Sequence, residues 1–169
     1  MQVLHINTTA DSLLVDKFIK EGKDIFILVH MDGCGPCEAT LPEWLKLEHT
    51  LKGAYGKDDR LIIIDMNMKF LSNVHLIGSI DGFPTLKFIS NKGKNVETYE
   101  DSNIAQKNRS TDSFVSWVDE KMRKVVVNGG RGTPESLYRR LGRSLRRGKS
   151  RGAKKRGGKS RGAKKKGGK

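Results

Sequence analysis

Cys34 and Cys37 are the only two cysteines in a chain of 169 residues, and they stand three apart in Gly33-Cys34-Gly35-Pro36-Cys37. The apolar run Ile25-Phe26-Ile27-Leu28-Val29 precedes them and a helical pattern follows. A strand that enters a Cys-x-x-Cys turn and leaves as a helix suits reversible dithiol chemistry. Cys34 then stands at the helix N-terminus, where unpaired backbone N–H groups and the helix dipole favour an anion. That lowers the pKa of the first thiol, and the thiolate is the form that attacks a disulfide. Cys37, one turn further in, is expected to be shielded and to resolve the mixed disulfide. Gly35 and Pro36 close the turn, and proline at a first helical position has no N–H to lose.

Two other uses of the pair stay open on spacing alone. Zinc sites usually want four ligands, and His5, His30, His49 and His75 offer no ligand-like spacing. A purely structural disulfide across so short a loop would remove little chain entropy. Both are weaker readings than a redox pair.

The surrounding pattern supplies the elements that must hold the pair. Val3–Ile6 reads as a first strand. Asn7, Thr8 and Thr9 offer caps for a helix carrying Leu13, Leu14, Val15, Phe18 and Ile19, which ends at Gly22. Asp24–Met31 is a near-continuous apolar run, as a buried central strand should be. After the dithiol turn, Ala39, Leu41, Leu45 and Leu47 predict one helix to about Leu51, with Trp44 as packing rather than binding surface. Strand Leu61–Asp65, a short helix over Met68–Val74, strand Thr85–Ser90 and a hairpin partner Val96–Tyr99 follow. Glu100–Ser110 reads as a loop, and Thr111-Asp112-Ser113 as the cap of a last helix with Phe114, Val115, Trp117 and Val118 on its apolar side. Pattern alone supports only an α/β fold.

Cys34-Gly35-Pro36-Cys37 resembles the active-site motif of the thioredoxin and protein disulfide isomerase family. Two further features are similar: Pro42, five residues after Cys37, and Gly82-Phe83-Pro84-Thr85, which looks like the family's cis-proline loop. The resemblance runs from the N-terminus to roughly Lys124. It implies a thioredoxin fold, a mixed central sheet flanked by helices in the order βαβαβαββα. It also implies that Cys34 and Cys37 cycle between dithiol and redox-active disulfide, without cofactor or metal. Gly35, Pro36, Phe83 and Pro84 would position substrate, the Phe83 backbone pairing with an extended substrate strand. Protein disulfides are then the substrates, and a dithiol reductase the partner that recharges the site.

Two positions depart from that pattern. Leu28 falls where the family has a buried Asp or Glu that moves protons to and from the resolving thiol. Gly33 replaces the usual tryptophan before the first cysteine. His30, four residues before Cys34, is a candidate proton carrier because its unperturbed pKa is near neutral. A histidine merely packed at a strand end is the plainer alternative.

The charge of the chain sits at its end. The formal net charge is +14, yet residues 129–169 hold 17 Lys+Arg and one acid, which leaves 1–128 at −2. The chain therefore divides into a near-neutral domain, 1–126, and a basic low-complexity tail, 127–169. Within the tail, Thr133-Pro134-Glu135 is a helix start and Leu137, Leu141 and Leu145 share a face, predicting a short helix over 134–147 with Gly142 against it. Residues 148–167 are a ten-residue sequence repeated once, with one Arg-to-Lys difference. With no apolar side chain larger than alanine the repeat cannot form a core and is expected to be disordered.

Phosphate neutralisation is what such a tail can do. The candidate nucleic-acid contacts are Arg143, Arg146, Arg147, Lys149, Arg151, Lys154, Lys155, Arg156, Lys159, Arg161, Lys164, Lys165 and Lys166. A solubility tail or an import signal are the alternatives. A thioredoxin-like domain with a basic repeated tail is similar to thioredoxin-domain proteins of large DNA viruses. The opening residues lack a signal-peptide pattern and no run approaches a membrane span. The expectation is a monomer of the cytoplasm or nucleus, or one packaged in a virion. Two functions follow: a thiol-disulfide oxidoreductase tethered to nucleic acid by its tail, or a nucleic-acid-binding or packaging protein whose thioredoxin-like scaffold has weak or no redox activity.

Overall fold

The computed structural model describes residues 1–124. The domain end at 126, the helix expected over 134–147, the repeat and every tail residue named above lie outside the described residues.

Five strands form one sheet in the order β1-β3-β2-β4-β5, with β1 Gln2–Ile6, β2 Asp24–His30, β3 Leu61–Asn67, β4 Thr85–Ser90 and β5 Asn95–Thr98. β1, β3 and β2 run parallel to one another, while β4 runs antiparallel to β2 and β5 antiparallel to β4. The central strand β2 is buried from Asp24 to Val29, which is why its sequence shows a continuous apolar run rather than alternation. Alternation still sorts the side chains between two cores. Phe26 and Leu28 face one cluster with Trp44, Leu47, Phe114 and Trp117. Ile25, Ile27 and Val29 face the other with Val15 and Ile19.

The helices are α1 Thr9–Glu21, α2 Gly35–Leu45, α3 Leu47–Tyr55 and α4 Thr111–Lys124. α1 opens with a reciprocal cap, Thr8 accepting from the Asp11 amide and Asp11 from that of Thr8. It closes at Gly22, whose φ of 81° suits glycine. The mixed sheet between helical layers is the thioredoxin fold expected.

Several boundaries differ from the sequence reading. The single helix expected after the dithiol is two: α2 ends at Leu45, with Pro42 in its interior, and gives way to α3 at Lys46. The buried stripe there is Cys37, Thr40, Trp44, Leu47 and Leu51, while Ala39 and Leu45 are exposed. Leu13 is likewise exposed, and Ser12 takes the buried place on α1 with its hydroxyl donating to the Thr9 carbonyl at 2.7 Å. The short helix expected over Met68–Val74 is a 3-10 helix, Met68–Asn73. β5 ends at Thr98, so Tyr99 begins a further 3-10 turn. The cap of α4 is Ser110, whose hydroxyl accepts from the Ser113 amide at 3.3 Å, with Thr111 already the first helical residue.

Trp44 is 1% exposed and its indole N–H donates to the Ile64 carbonyl at 3.2 Å. It stands edge-on to Phe114 of α4, ring centroids 5.1 Å apart. Truncating such a residue to alanine costs about 3–5 kcal/mol. This packing holds α2, and the cysteine at its start, against the end of the parallel strands.

Candidate active site

The chain leaves β2 at His30 and reaches α2 through Met31-Asp32-Gly33-Cys34. Asp32 is fastened to β3 by the Asn67 side-chain amide, which donates to its carboxylate at 2.7 Å. Gly33 has a φ of 70°, a left-handed conformation that a tryptophan would adopt only with strain. The glycine that departs from the family pattern is thus the residue this turn requires.

Cys34 is the N-cap of α2, and its sulfur accepts the Cys37 amide hydrogen at 3.3 Å. The two sulfurs are joined as a disulfide, with Cα atoms 5.2 Å apart. Cys34 is 9% exposed and Cys37 3%, so the first sulfur is the more accessible. Gly35 and Pro36 are exposed on the first turn.

From the other side, the Phe83–Pro84 peptide bond is cis. Pro84 is buried and Phe83 half-buried. The Phe83 carbonyl oxygen lies 3.7 Å from Cys34 Sγ. The structure therefore brings Cys34, Cys37, Gly35, Pro36, Phe83 and Pro84 together at one end of the sheet.

Leu28 is fully buried and lies beneath α2 in the core that includes Trp44. On β3 its register partner is Asp65, which shares the α2 side of the sheet and is hydrogen-bonded to His5 of β1. His30 has the same parity as Leu28 and pairs in register with Asn67. It is half-buried and forms no hydrogen bond with either cysteine among the described residues. Also among the described residues, no group of three or more His, Cys, Asp or Glu side chains could hold a metal ion. No helix there is long and apolar enough to cross a membrane.

The sequence reading missed Asn67 and Asp32, because a bond between the end of β3 and a loop 35 positions away leaves no local signal. It also passed over Lys87, although a lysine inside the apolar run Thr85–Ser90 was visible there.

The thioredoxin family model matches residues 5–127. The chain belongs to the thioredoxin family. It is 24% identical over 123 residues to protein disulfide-isomerase 1 of Dictyostelium discoideum, covering 72% of this chain and 30% of that protein. It is 29% identical over 111 residues to protein disulfide isomerase-like 2-2 of Oryza sativa subsp. japonica, covering 66% of this chain and 26% of that protein. The chain thus spans less than a third of the length of these relatives. Among solved structures, human ERp44 in its zinc-bound form superposes with a TM-score of 0.53 at 13% identity, covering 70% of this chain and 31% of that one. The J-Trx1 fragment of ERdj5 gives 0.50 at 16%, covering 72% and 52%. Those likenesses are of fold.

Proposed function

We propose that the chain is a thiol-disulfide oxidoreductase acting on protein disulfides, tethered to nucleic acid by its basic tail. The observation that carries the redox reading is the Cys34–Cys37 disulfide at the start of α2 with the Phe83 carbonyl 3.7 Å from the outer sulfur. In the reducing direction the Cys34 thiolate attacks a substrate disulfide, and one substrate sulfur leaves as a thiolate that takes up a proton. Cys37 gives up its proton and attacks the Cys34 sulfur of the mixed disulfide. The second substrate sulfur then leaves, two electrons having passed to the substrate. A dithiol reductase returns the site to its reduced form. Cys34 is the attacking sulfur because it is the more exposed and caps the helix, where an anion is favoured.

Insulin reduction by wild type and Cys34→Ser tests this. Turnover by the wild type and its loss in the variant are expected; a wild type without turnover sinks the redox reading.

A second reading rests on Leu28. With an apolar side chain fully buried beneath the dithiol, proton transfer at Cys37 lacks the customary acid, and the domain would serve a nucleic-acid-binding or packaging role with weak or no redox activity. Under either reading the tail places the protein beside nucleic acid, in nucleus, cytoplasm or virion. His30, on the α2 side of the sheet, is the candidate proton carrier under the first.

A further inference from the structure

β4 is the strand that leaves the Phe83-Pro84 turn, and its third residue is a lysine. Lys87 is 5% exposed and lies on the same side of the sheet as Ile89, opposite to α2. A lysine in an apolar strand is costly unless its ammonium finds acceptors. Here it donates to the Ile77 carbonyl at 3.1 Å and to the Ser79 carbonyl. Burial pulls its pKa below the ordinary lysine value, and the Asp81 carboxylate works the other way. Between the two bonded carbonyls the chain passes close over the amine at Gly78, where an added Cβ would stand 3.4 Å from Nζ and where φ is 77°. One turn later the Thr85 hydroxyl donates to the Gly82 carbonyl.

The segment 77–82 has neither helix nor strand of its own. Its carbonyls at Ile77, Ser79 and Gly82 are instead gathered by two side chains of β4. The next residue is Phe83, whose carbonyl faces Cys34. An apolar side chain at position 87 would leave the loop without its tie. The lysine thus serves the loop.

We propose that Lys87 is a positioning residue: its buried ammonium fixes the 77–82 loop and thereby sets the Phe83 backbone against Cys34 for pairing with an extended protein substrate. This rests on the oxidoreductase reading above. Lys87 touches neither sulfur nor substrate, so its effect falls on recognition of polypeptide rather than on the chemistry of the thiol.

The test compares full-length wild type, Lys87→Met and Asp81→Asn on two substrates: insulin, and a small aromatic disulfide that reaches Cys34 without backbone pairing. Lys87→Met should raise KM for insulin about tenfold, as losing charge-assisted hydrogen bonds would. Its kcat and its rate with the small disulfide should stay unchanged. Amides of 77–83 should exchange with deuterium faster in the variant. Asp81→Asn, at an exposed position, should raise KM about twofold through a weaker attraction.

Unchanged KM in Lys87→Met, or equal loss on both disulfides, overturns the proposal. If Lys87→Met does not fold, the KM of Asp81→Asn decides, and no change in it overturns the role of Lys87. A wild type inactive on both disulfides sinks the oxidoreductase reading instead. In that case the exchange measurement still judges the loop, and equal exchange in wild type and variant counts against Lys87.

Discussion

Glu43 of the active-site helix accepts both the backbone N–H of Thr111, at 3.1 Å, and its hydroxyl, at 2.6 Å. The carboxylate so joins the middle of α2 to the first turn of α4, at the end of that helix where negative charge is favoured. Lys46 forms an ion pair with it from one turn further along.

These partners, the Lys46 bond first and the two from Thr111 after it, bring the Glu43 pKa from 4.5 down to about 2. A group whose folded pKa is depressed adds stability above its unfolded pKa and loses it as pH falls through the folded one. The contribution of Glu43 is thus complete above pH 4.5 and fades toward pH 2. Glu43→Gln should lower the urea midpoint at neutral pH, and the gap from wild type should narrow across that acid window. Parallel midpoints from pH 6 down to the acid limit would contradict it.

Leu28→Asp should raise the rate of disulfide reduction. The new carboxyl would lie in register with Asp65 on the same side of the sheet. Burial and a like charge nearby both raise a carboxyl pKa, moving it toward the range where it can exchange protons with Cys37 near neutral pH. The stability cost should be roughly 2–4 kcal/mol, from a lost apolar group and a buried polar one. Stopped-flow reduction and urea melts measure the two effects. An unchanged rate would mean that another group, His30 first, already carries the proton.

In freshly reduced protein, alkylation at neutral pH should label Cys34 well before Cys37. Cys34 is the helix cap, and the Cys37 side is the less exposed. Peptide mapping after a short pulse reads the ratio, and equal labelling would remove the assigned roles.

The tail should bind DNA with little sequence preference and steep salt dependence. With 14 basic residues from Arg143 to Lys169, partial engagement gives a log–log slope well beyond about −5, at roughly −0.9 per phosphate neutralised. Ending the chain after Lys124 should abolish binding and spare dithiol activity. Phosphate on Ser150 or Ser160 should weaken binding by adding negative charge. A titration series across salt concentrations checks this; a truncated domain that still binds, or a flat salt response, would redirect attention to a protein receptor.

Much of the site was readable because its signals are local. Cys34 and Cys37 announce themselves by spacing, and Phe83-Pro84 by its glycine and proline punctuation. Trp44 was correctly read as packing because a large aromatic in a helical pattern is usually buried. What stayed hidden depends on partners distant in sequence. The apolar spacing of Ala39, Leu41 and Leu45 did not reveal that the buried face runs through Thr40, a residue made compatible with burial by its hydroxyl bond to the Pro36 carbonyl at 2.8 Å. The start of α4 was placed late because Thr111, Asp112 and Ser110 all carry capping oxygens, and the Glu43 carboxylate from α2 claims the Thr111 amide. Lys87 stands out in its apolar run, but its role is legible only from its bonds to the Ile77 and Ser79 carbonyls of the preceding loop.

The sulfur of Cys34 is at once the reacting atom and the cap of its own helix. Folding and reduction therefore share a thermodynamic cycle. A thiolate is a better acceptor for the Cys37 amide than a disulfide sulfur, and it adds a charge that the helix dipole welcomes. Any extra stability the fold grants to the thiolate must return, by closure of that cycle, as an equal ease of reducing the disulfide. The first turn of α2 in this sense ties the oxidising strength of the site to the Cys37 amide bond and the helix dipole that meet at the Cys34 sulfur.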